Sequence, residues 1–242
     1  MIVCIPTKGR PDTQTYKLFT SVGIDVYHFI EPQEDSKYKV PNKIIIDKNN
    51  RGITYVRNYI FDWCRAKGNR WVIICDDDVK HFGIVEKKRC KVTDAGIWRN
   101  ILKEAKKLRC EVFGIDYRQY AWSRTKKANF NTGLTEVCLL YDLSKISWKF
   151  TYNTKEDRDF LLKTIKYGAG VIRFNRYFYS CPTIGTNKGG LHKEYANSKD
   201  EQWSLQLRKD WGKYVTIVNK RGRIDAKIHW RKFAIDNNKV VI

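Results

Sequence analysis

Short apolar runs alternate with segments of helical periodicity along most of the chain. Runs rich in Ile, Val and Leu are typical of buried strands, whereas apolar residues that recur every three or four positions are typical of helices. Because the two patterns alternate, we predict an α/β fold with an open, mostly parallel sheet and helices on both faces. Strands are predicted over Ile2–Pro6, Val26–Ile30, Lys43–Asp47, Trp71–Cys75, Val112–Ile115, Glu136–Asp142 and Val171–Ser180, and helices over 12–23, 53–68, 94–108, Glu156–Tyr167 and Asp200–Trp211.

Several predicted boundaries depend on residues that start or stop helices. Asp12 stands where an N-cap would open the first helix, and Gly23 and Gly68 stand where the first two helices would end. Two stretches show neither the strand pattern nor the helix pattern. They are Tyr117–Lys127, with four basic residues and no acid, and Lys213–Lys232, with seven basic residues and one acid.

Length and charge narrow the classes of protein to consider. A chain of 242 residues favours a single domain. It carries 47 Lys and Arg against 26 Asp and Glu, a formal net charge of +21, which attracts polyanions such as nucleic acid. No apolar run approaches the roughly 20 residues of a membrane span. We therefore expect no membrane partner, and no obligate protein partner is evident.

Cysteine usage and the first residues indicate the compartment. The seven cysteines are scattered singly, without a CxxC pair, which favours reduced thiols over a disulfide framework or a zinc site. The chain opens with Met-Ile-Val-Cys-Ile-Pro, which is not a secretory signal. We expect a cytoplasmic protein, in the host cytoplasm if a phage encodes it.

Three adjacent carboxylates, Asp76, Asp77 and Asp78, follow the predicted strand Trp71–Cys75 directly. Ligands of open α/β sheets bind at the carboxyl ends of the strands. Extended backbone would project Asp76 and Asp78 to the same side, and their hard oxygen ligands suit Mg²⁺ or Mn²⁺. The alternative is a solvated turn in which one Asp caps a helix.

A second acidic pair, Glu156-Asp157, stands at the start of a predicted helix. It is a candidate for general-base catalysis. The alternative is a capping box, because Thr154 and Asp157 have its spacing and acids in a first turn complement the helix dipole.

The chain lacks the two common nucleotide-binding motifs. Neither GxxxxGK[ST] nor GxGxxG occurs, so the sequence does not indicate a binding site for ATP or NAD. A basic loop, Lys8-Gly9-Arg10-Pro11, instead follows the first strand, and Arg57 lies in the helix before the Asp76 strand. Arg57 is a candidate phosphate ligand or simply a surface arginine.

Four motifs, in their order along the chain, resemble those of the nucleotide-sugar glycosyltransferases of the GT-A fold. The motifs are Ile5-Pro6-Thr7-Lys8-Gly9-Arg10-Pro11, Asn50-Arg51-Gly52-Ile53 with Arg57-Asn58, Asp76-Asp77-Asp78, and Glu156-Asp157-Arg158-Asp159-Phe160. The Lys-Gly-Arg-Pro opening, the small size and the basicity are similar to one branch, the TET-associated glycosyltransferases. Enzymes of that branch, largely from bacteriophages, are thought to glycosylate hydroxymethylated pyrimidines in DNA.

The resemblance implies a role for each matching residue. The acidic cluster would be the DXD motif, with Asp78 and Asp76 as ligands of Mn²⁺ or Mg²⁺, and with a late histidine, His192 or His229, as a further ligand. Asp157, or failing that Glu156, would be the base of an inverting single displacement. The residues that would bind the UDP-sugar donor are Thr7, Lys8, Arg10, Arg57, Asp76 and Asp77.

The resemblance also implies two halves and a DNA acceptor. Residues 1–115 would bind the nucleotide-sugar and metal, and residues 116–242 the acceptor. A hydroxymethylated base inside a duplex would have to be flipped out, with aromatic side chains replacing the lost stacking. The candidate DNA-binding residues, which would otherwise belong to a solvated loop, are Arg118, Tyr120, Trp122, Arg124, Lys126 and Lys127.

Three other functions remain open from the sequence. A GT-A enzyme acting on a glycan, lipid or protein would keep the metal motif but would not need the net charge of +21. A metal-dependent nuclease would also combine clustered carboxylates with a basic surface. A DNA-binding protein without catalytic activity would leave the three adjacent aspartates unexplained.

Overall fold

The computed structural model describes residues 1–134, 136–182, 199–220 and 222–239. Its α/β architecture agrees with the fold class that the alternating pattern predicts. Strands are β1 Ile2–Thr7, β2 Val26–Ile30, β3 Lys43–Ile45, β4 Trp71–Cys75, β5 His81–Glu86, β6 Arg89–Thr93, β7 Val112–Tyr117, β8 Ala128–Phe130, β9 Cys138–Asp142, β10 Val171–Ser180, β11 Val215–Lys220 and β12 Arg223–Ile228. Helices are α1 Thr15–Thr20, α2 Ile53–Ala66, α3 Ile97–Ala105, α4 Arg118–Ala121, α5 Glu156–Lys166, α6 Lys199–Trp211 and α7 Trp230–Asp236, with 3₁₀ turns at Pro32–Lys37 and Gly212–Tyr214.

A large central sheet organises the described part of the chain. Its strand order is β3-β2-β1-β4-β9-β7-β10-β5-β6, with β8 paired to β10. Strands β5, β8 and β9 run opposite to the remaining seven of the ten strands, so the sheet is mostly parallel. The carboxyl ends of β1, β4, β7 and β10 therefore lie at one edge, where ligands of such sheets bind.

Helices cover both faces of this sheet. Along β4, Val72 and Ile74 pack into one hydrophobic cluster and Ile73 and Cys75 into another, as the period of a strand requires. The first cluster contains the apolar faces of α2 and α5, and the second those of α1 and α3. The seven cysteines, all within the described ranges, are free.

The C-terminal elements join the first of these clusters. Strands β11 and β12 form an antiparallel hairpin against α6. Leu207, Val215, Ala226 and Phe233 are buried in the same cluster as α2 and α5. No helix in the described ranges has the length and apolar character that a membrane span requires.

Local boundary signals were less reliable than the apolar runs. The first helix begins at Thr15 with Gln14 as N-cap, so the predicted N-cap role of Asp12 is wrong. Tertiary hydrogen bonds explain the later start, because the Thr13 and Thr15 hydroxyls donate to the Asp77 and Val79 carbonyls at 2.6 and 3.1 Å.

Two hairpins were missed altogether. Strand β6, Arg-Cys-Lys-Val-Thr, is a short edge strand, and its two apolar residues, Cys90 and Val92, are too few to form a recognisable buried run. Strands β11 and β12 lie within Lys213–Lys232, and the strict polar–apolar alternation of β12, Arg-Ile-Asp-Ala-Lys-Ile, was an available signal that the sequence analysis did not use.

Candidate active site at the carboxyl ends of the strands

The three aspartates after β4 have different surroundings. The side chain of Asp77 is 4% exposed, whereas those of Asp76 and Asp78 are 33% and 23% exposed. Strand β4 ends at Cys75 and Asp77-Asp78 form a turn, so the turn, and not the extended backbone that the sequence predicted, produces this difference. Asp76 and Asp78 therefore present oxygens to solvent, and Asp77 is directed into the protein.

Asp77 connects the loop after β1 to the end of β4. The Thr7 hydroxyl donates to Asp77 Oδ2 at 2.5 Å, and Arg10 Nη1 donates to Asp77 Oδ1. Burial raises the pKa of Asp77, while Arg10 and Thr7 lower it in part. Of the residues predicted to bind the donor, Thr7, Arg10 and Asp77 thus form one hydrogen-bonded group.

Tyr38 belongs to the same group and was not predicted. Its phenolic oxygen lies 3.2 Å from the Thr7 hydroxyl oxygen and accepts a hydrogen bond from the Arg10 backbone N–H at 2.9 Å. Lys8, the remaining basic residue of the loop, pairs with Glu31 at 2.8 Å. These contacts hold the basic loop in one conformation beside Asp76 and Asp78.

Arg57 connects the two acidic motifs. Its side chain is 4% exposed, so the alternative of a surface arginine is wrong. Arg57 Nη1 donates to Glu156 Oε1 at 2.5 Å, and Nη2 lies 3.6 Å from Asp76 Oδ1. The acids after β4 and those at the start of α5 are therefore parts of one site.

Glu136 is a further acid of this site that the sequence analysis did not single out. It is 4% exposed, its Oε2 accepts a hydrogen bond from Tyr141, and its Oε1 has no partner among the described residues. Burial raises the pKa of Glu136 to about 7, against the lowering effect of Arg57. The sequence signal for Glu136 was its place two residues before the apolar strand β9.

The start of α5 separates Glu156 from Asp157. Glu156 is 7% exposed and bound to Arg57, whereas Asp157 is partly exposed and accepts a hydrogen bond from the Arg158 N–H at 2.8 Å. Lys155 is the N-cap, at a φ of 60°, and the buried Thr154 hydroxyl has no partner among the described residues. The capping box is therefore wrong, and Asp157 is the accessible carboxylate of the pair.

Asp225 of the C-terminal hairpin holds this helix start in place. Asp225 is 2% exposed, and its carboxylate lies 2.7 Å from Arg158 Nη1, 3.1 Å from Lys155 Nζ and 2.9 Å from Lys220 Nζ. The hydrogen bond from Arg158, opposed by burial, contributes to a pKa of Asp225 far below its usual range. Lys155 and Arg158 flank Glu156-Asp157, so the hairpin anchors the acidic pair.

Replacing Asp225 with asparagine should lower the free energy of unfolding by about 1–3 kcal/mol at neutral pH, because it leaves the buried Lys155 and the partly exposed Arg158 without their counter-charge. The depressed pKa means that Asp225 contributes this stability above about pH 4, and that the contribution is lost as the pH falls below that value. Urea unfolding of both proteins across this range checks the effect. A difference that does not shrink in acid would contradict it.

The carboxylates of Asp76 and Asp78 are hard oxygen ligands, of the kind that a divalent cation such as Mg²⁺ takes. Such ions are bound in proteins by one or two carboxylates, with substrate phosphates and water completing the shell. The part of the chain that the structure describes contains no group of three or more His, Cys, Asp and Glu arranged as a metal site. His192 lies outside the described residues, and His229 follows the C-terminal hairpin as the N-cap of α7, 2.7 Å from the Thr216 hydroxyl.

The predicted DNA-binding residues surround α4. Tyr120 and Trp122 are 53% and 54% exposed, so both rings face solvent. Arg124 differs from the other cations, because it pairs with the buried Asp116 at 2.5 Å. The remaining basic residues of the stretch, all exposed, are Arg118, Lys126 and Lys127.

Comparison with known proteins adds a family match. The family model described as TET-Associated Glycosyltransferase matches residues 1–190. None of the curated proteins matches the chain. Among solved structures, A197 from STIV is similar over 75% of this chain and 85% of its own, with 12% identity and a TM-score of 0.49. The CMP:2-keto-3-deoxy-manno-octonic acid synthetase, solved with CTP, is similar over 85% of this chain and 98% of its own, with 9% identity and a TM-score of 0.45.

Proposed function

The chain belongs to the TET-associated glycosyltransferase family and is a glycosyltransferase, and we propose that it transfers a sugar from a UDP-sugar to the hydroxyl of a hydroxymethylated pyrimidine in DNA. One observation supports the site in particular. Arg57 lies within 3.6 Å of Asp76 and 2.5 Å of Glu156, so a residue assigned to donor binding and the acidic pair that contains the proposed base Asp157 share one site.

The proposed chemistry is a single displacement with inversion. The acceptor hydroxyl attacks the anomeric carbon, the bond from that carbon to the diphosphate breaks, and Asp157 takes the hydroxyl proton. Its partial exposure leaves Asp157 free to meet the acceptor, whereas Glu156 is committed to Arg57. The sugar would pass through an oxocarbenium-like state, as in glycoside hydrolysis.

The donor would lie between the loop after β1 and the aspartates after β4. Lys8 and Arg10 carry positive charge at this edge of the sheet, and Asp77 with Tyr38 fixes the position of Arg10. A Mn²⁺ or Mg²⁺ ion held by Asp76 and Asp78 would supply positive charge to the departing diphosphate. Lys8 and Arg10 would stabilise the diphosphate further as its negative charge grows.

Charge supports DNA as the acceptor. The chain has a formal net charge of +21, and Lys126 and Lys127 are exposed beside α4. Positive fields of this size steer polyanions to a surface. A glycan, lipid or protein acceptor gives no reason for such an excess.

DNA affinity should therefore fall steeply as salt is added. Replacing Lys126 and Lys127 with glutamine should reduce the log–log salt slope on duplex DNA by about 1.8, since each phosphate contact contributes about 0.9. The matched control replaces Lys106 and Lys107, which are exposed after α3. Fluorescence anisotropy over a salt series measures both slopes. An equal slope in the two double variants would remove Lys126 and Lys127 from the DNA path.

Release of UDP tests the proposed reaction. Wild-type protein, Mn²⁺ and each of several UDP-sugars are mixed with DNA that does or does not contain hydroxymethylated pyrimidines. We expect release to accelerate only with hydroxymethylated DNA. Release that is equally fast on unmodified DNA, or DNA cleavage without any sugar donor, would contradict the proposal and favour another acceptor or a nuclease.

A further inference from the structure

One cavity of the structure is not used by the chemistry proposed above. It occupies about 590 Å³ between the β5–β6 hairpin, α4 and the end of β10. This volume falls within the range of small-molecule sites. Its lining includes Lys88, Arg89, Tyr117, Arg118, Trp122 and Ser180.

Two aromatic rings of this cavity are held in fixed positions. The Trp122 indole N–H donates to the Gln119 carbonyl at 3.0 Å, yet the side chain is 54% exposed. The Tyr117 ring stacks on Tyr179 with centroids 5.4 Å apart, and its hydroxyl donates to the Cys181 carbonyl at 3.1 Å. A rigid, solvent-facing ring is suited to stacking against a planar ligand.

The cations of this cavity define the charge of that ligand. Lys88, Arg89 and Arg118 are exposed on its rim. Among the described residues that line it, none is Asp or Glu. A ligand that combines a planar ring with negative charge therefore fits both the rings and the rim.

The turn of the β5–β6 hairpin gives independent support. Lys87 and Lys88 occupy its two central positions with φ values of 47° and 65°. Two-residue turns of this kind favour Asn-Gly, because side chains such as lysine are strained at positive φ. Strained residues that persist at a surface point to a functional constraint, here positive charge at the hairpin tip.

The cavity lies close to the acidic site. Tyr117 ends β7 and Ser180 ends β10, at the edge of the sheet where Asp78 follows β4. Burial raises the pKa of Tyr117 and of Cys181, and the charge of Asp78 adds to both effects. The cavity and Asp78 therefore lie at the same edge of the sheet, where an acceptor strand would bind.

We propose that this cavity binds one unstacked nucleotide of the acceptor DNA strand. The base would stack on Trp122 beside Tyr117, and the flanking phosphates would contact Lys88, Arg89 and Arg118. The proposal deepens the proposed function and rests on DNA being the acceptor, but it concerns binding alone and needs no sugar donor.

A double-mutant cycle tests the stacking. Short single-stranded oligodeoxynucleotides, intact or with one abasic position, are titrated into the wild type and Trp122→Ala without any UDP-sugar. We expect Trp122→Ala to weaken binding of the intact strand by about 5- to 100-fold, the usual contribution of one base–aromatic stack. Its effect on the strand abasic at the stacked position should be much smaller. The abasic position is scanned along the strand, and Tyr167→Ala, another exposed ring, is the control.

A second variant separates binding from folding. Lys87→Asn with Lys88→Gly should relieve the strained turn and raise the thermal midpoint by about 2–4 °C, while weakening binding of intact and abasic strands alike. Equal losses on intact and every abasic strand in Trp122→Ala, or unchanged binding in the hairpin variant, would overturn the proposal. Trp122→Ala could weaken binding of the intact strand more than binding of the abasic strand while the protein transfers no sugar to DNA. That result would support the cavity assignment and contradict the proposed function.

Discussion

Replacing Asp157 with asparagine is expected to slow sugar transfer by about 10²–10⁴-fold, the usual contribution of general-base catalysis. Asparagine has the size of aspartate but cannot accept the proton of the acceptor hydroxyl. Affinities for the UDP-sugar and for DNA should change little, because neither bound ground state depends on that proton transfer. Single-turnover rates measure the loss, and titrations of the same preparation measure the two affinities.

Stability provides the check on Asp157. The N-cap of α5 is Lys155, and Asp157 accepts the Arg158 N–H at 2.8 Å, a hydrogen bond that the asparagine oxygen can also accept. Asp157→Asn should therefore cost mainly the dipole contribution of about 0.3–1 kcal/mol. The matched control is Asp62→Asn, an exposed carboxylate on α2. If Asp157→Asn retains a normal rate, Asp157 is not the base, and Glu156→Gln becomes the variant to measure.

Replacing Asp78 with alanine is expected to reduce transfer by about 10³-fold or more, because a bound divalent cation contributes several kcal/mol of charge stabilisation. The fold should remain intact. Asp78 is partly exposed, and its loss relieves repulsion within the acidic cluster although it also removes an ion pair with Arg10 at 3.4 Å. Rates over a Mn²⁺ series and thermal midpoints without metal measure the two effects.

Near-normal turnover of Asp78→Ala at ordinary Mn²⁺ concentrations would remove Asp78 from the metal site. Asp77→Asn is the informative comparison. The Asp77 carboxylate is buried and bound by Thr7 and Arg10, so this change should lower the thermal midpoint. Stability therefore distinguishes Asp77, which holds the loop after β1, from Asp78, which faces solvent.

The site could be predicted from the sequence where its residues follow a strong local pattern. An apolar run that ends in three acids predicted β4 and the place of Asp76 at its end, although Asp77-Asp78 form a turn and not the extended backbone that was expected. The acidic pair at Glu156 was found in the same way. Both depend on neighbours in the chain, and local periodicity is the strongest signal that a sequence carries.

Residues that depend on distant contacts could not be predicted in this way. Tyr38 meets Thr7 across 31 positions, and Asp225 meets Arg158 across 67. Glu136 differs from any surface acid only because the fold buries it beside Arg57. Their roles come from packing, which no local pattern contains. The same holds for the β5–β6 hairpin, whose turn has lysines where Asn-Gly would be typical.

The masses of the nucleosides in treated DNA test the central claim most directly. DNA that contains hydroxymethylated pyrimidines is incubated with the protein, Mn²⁺ and a panel of UDP-sugars, digested to nucleosides and weighed by mass spectrometry. We expect the hydroxymethylated nucleoside, and no other, to gain the mass of one sugar residue with at least one donor, and Asp157→Asn to abolish most of that product. Unchanged nucleoside masses with every donor, while a glycan, lipid or protein acceptor gains the sugar, would contradict the account.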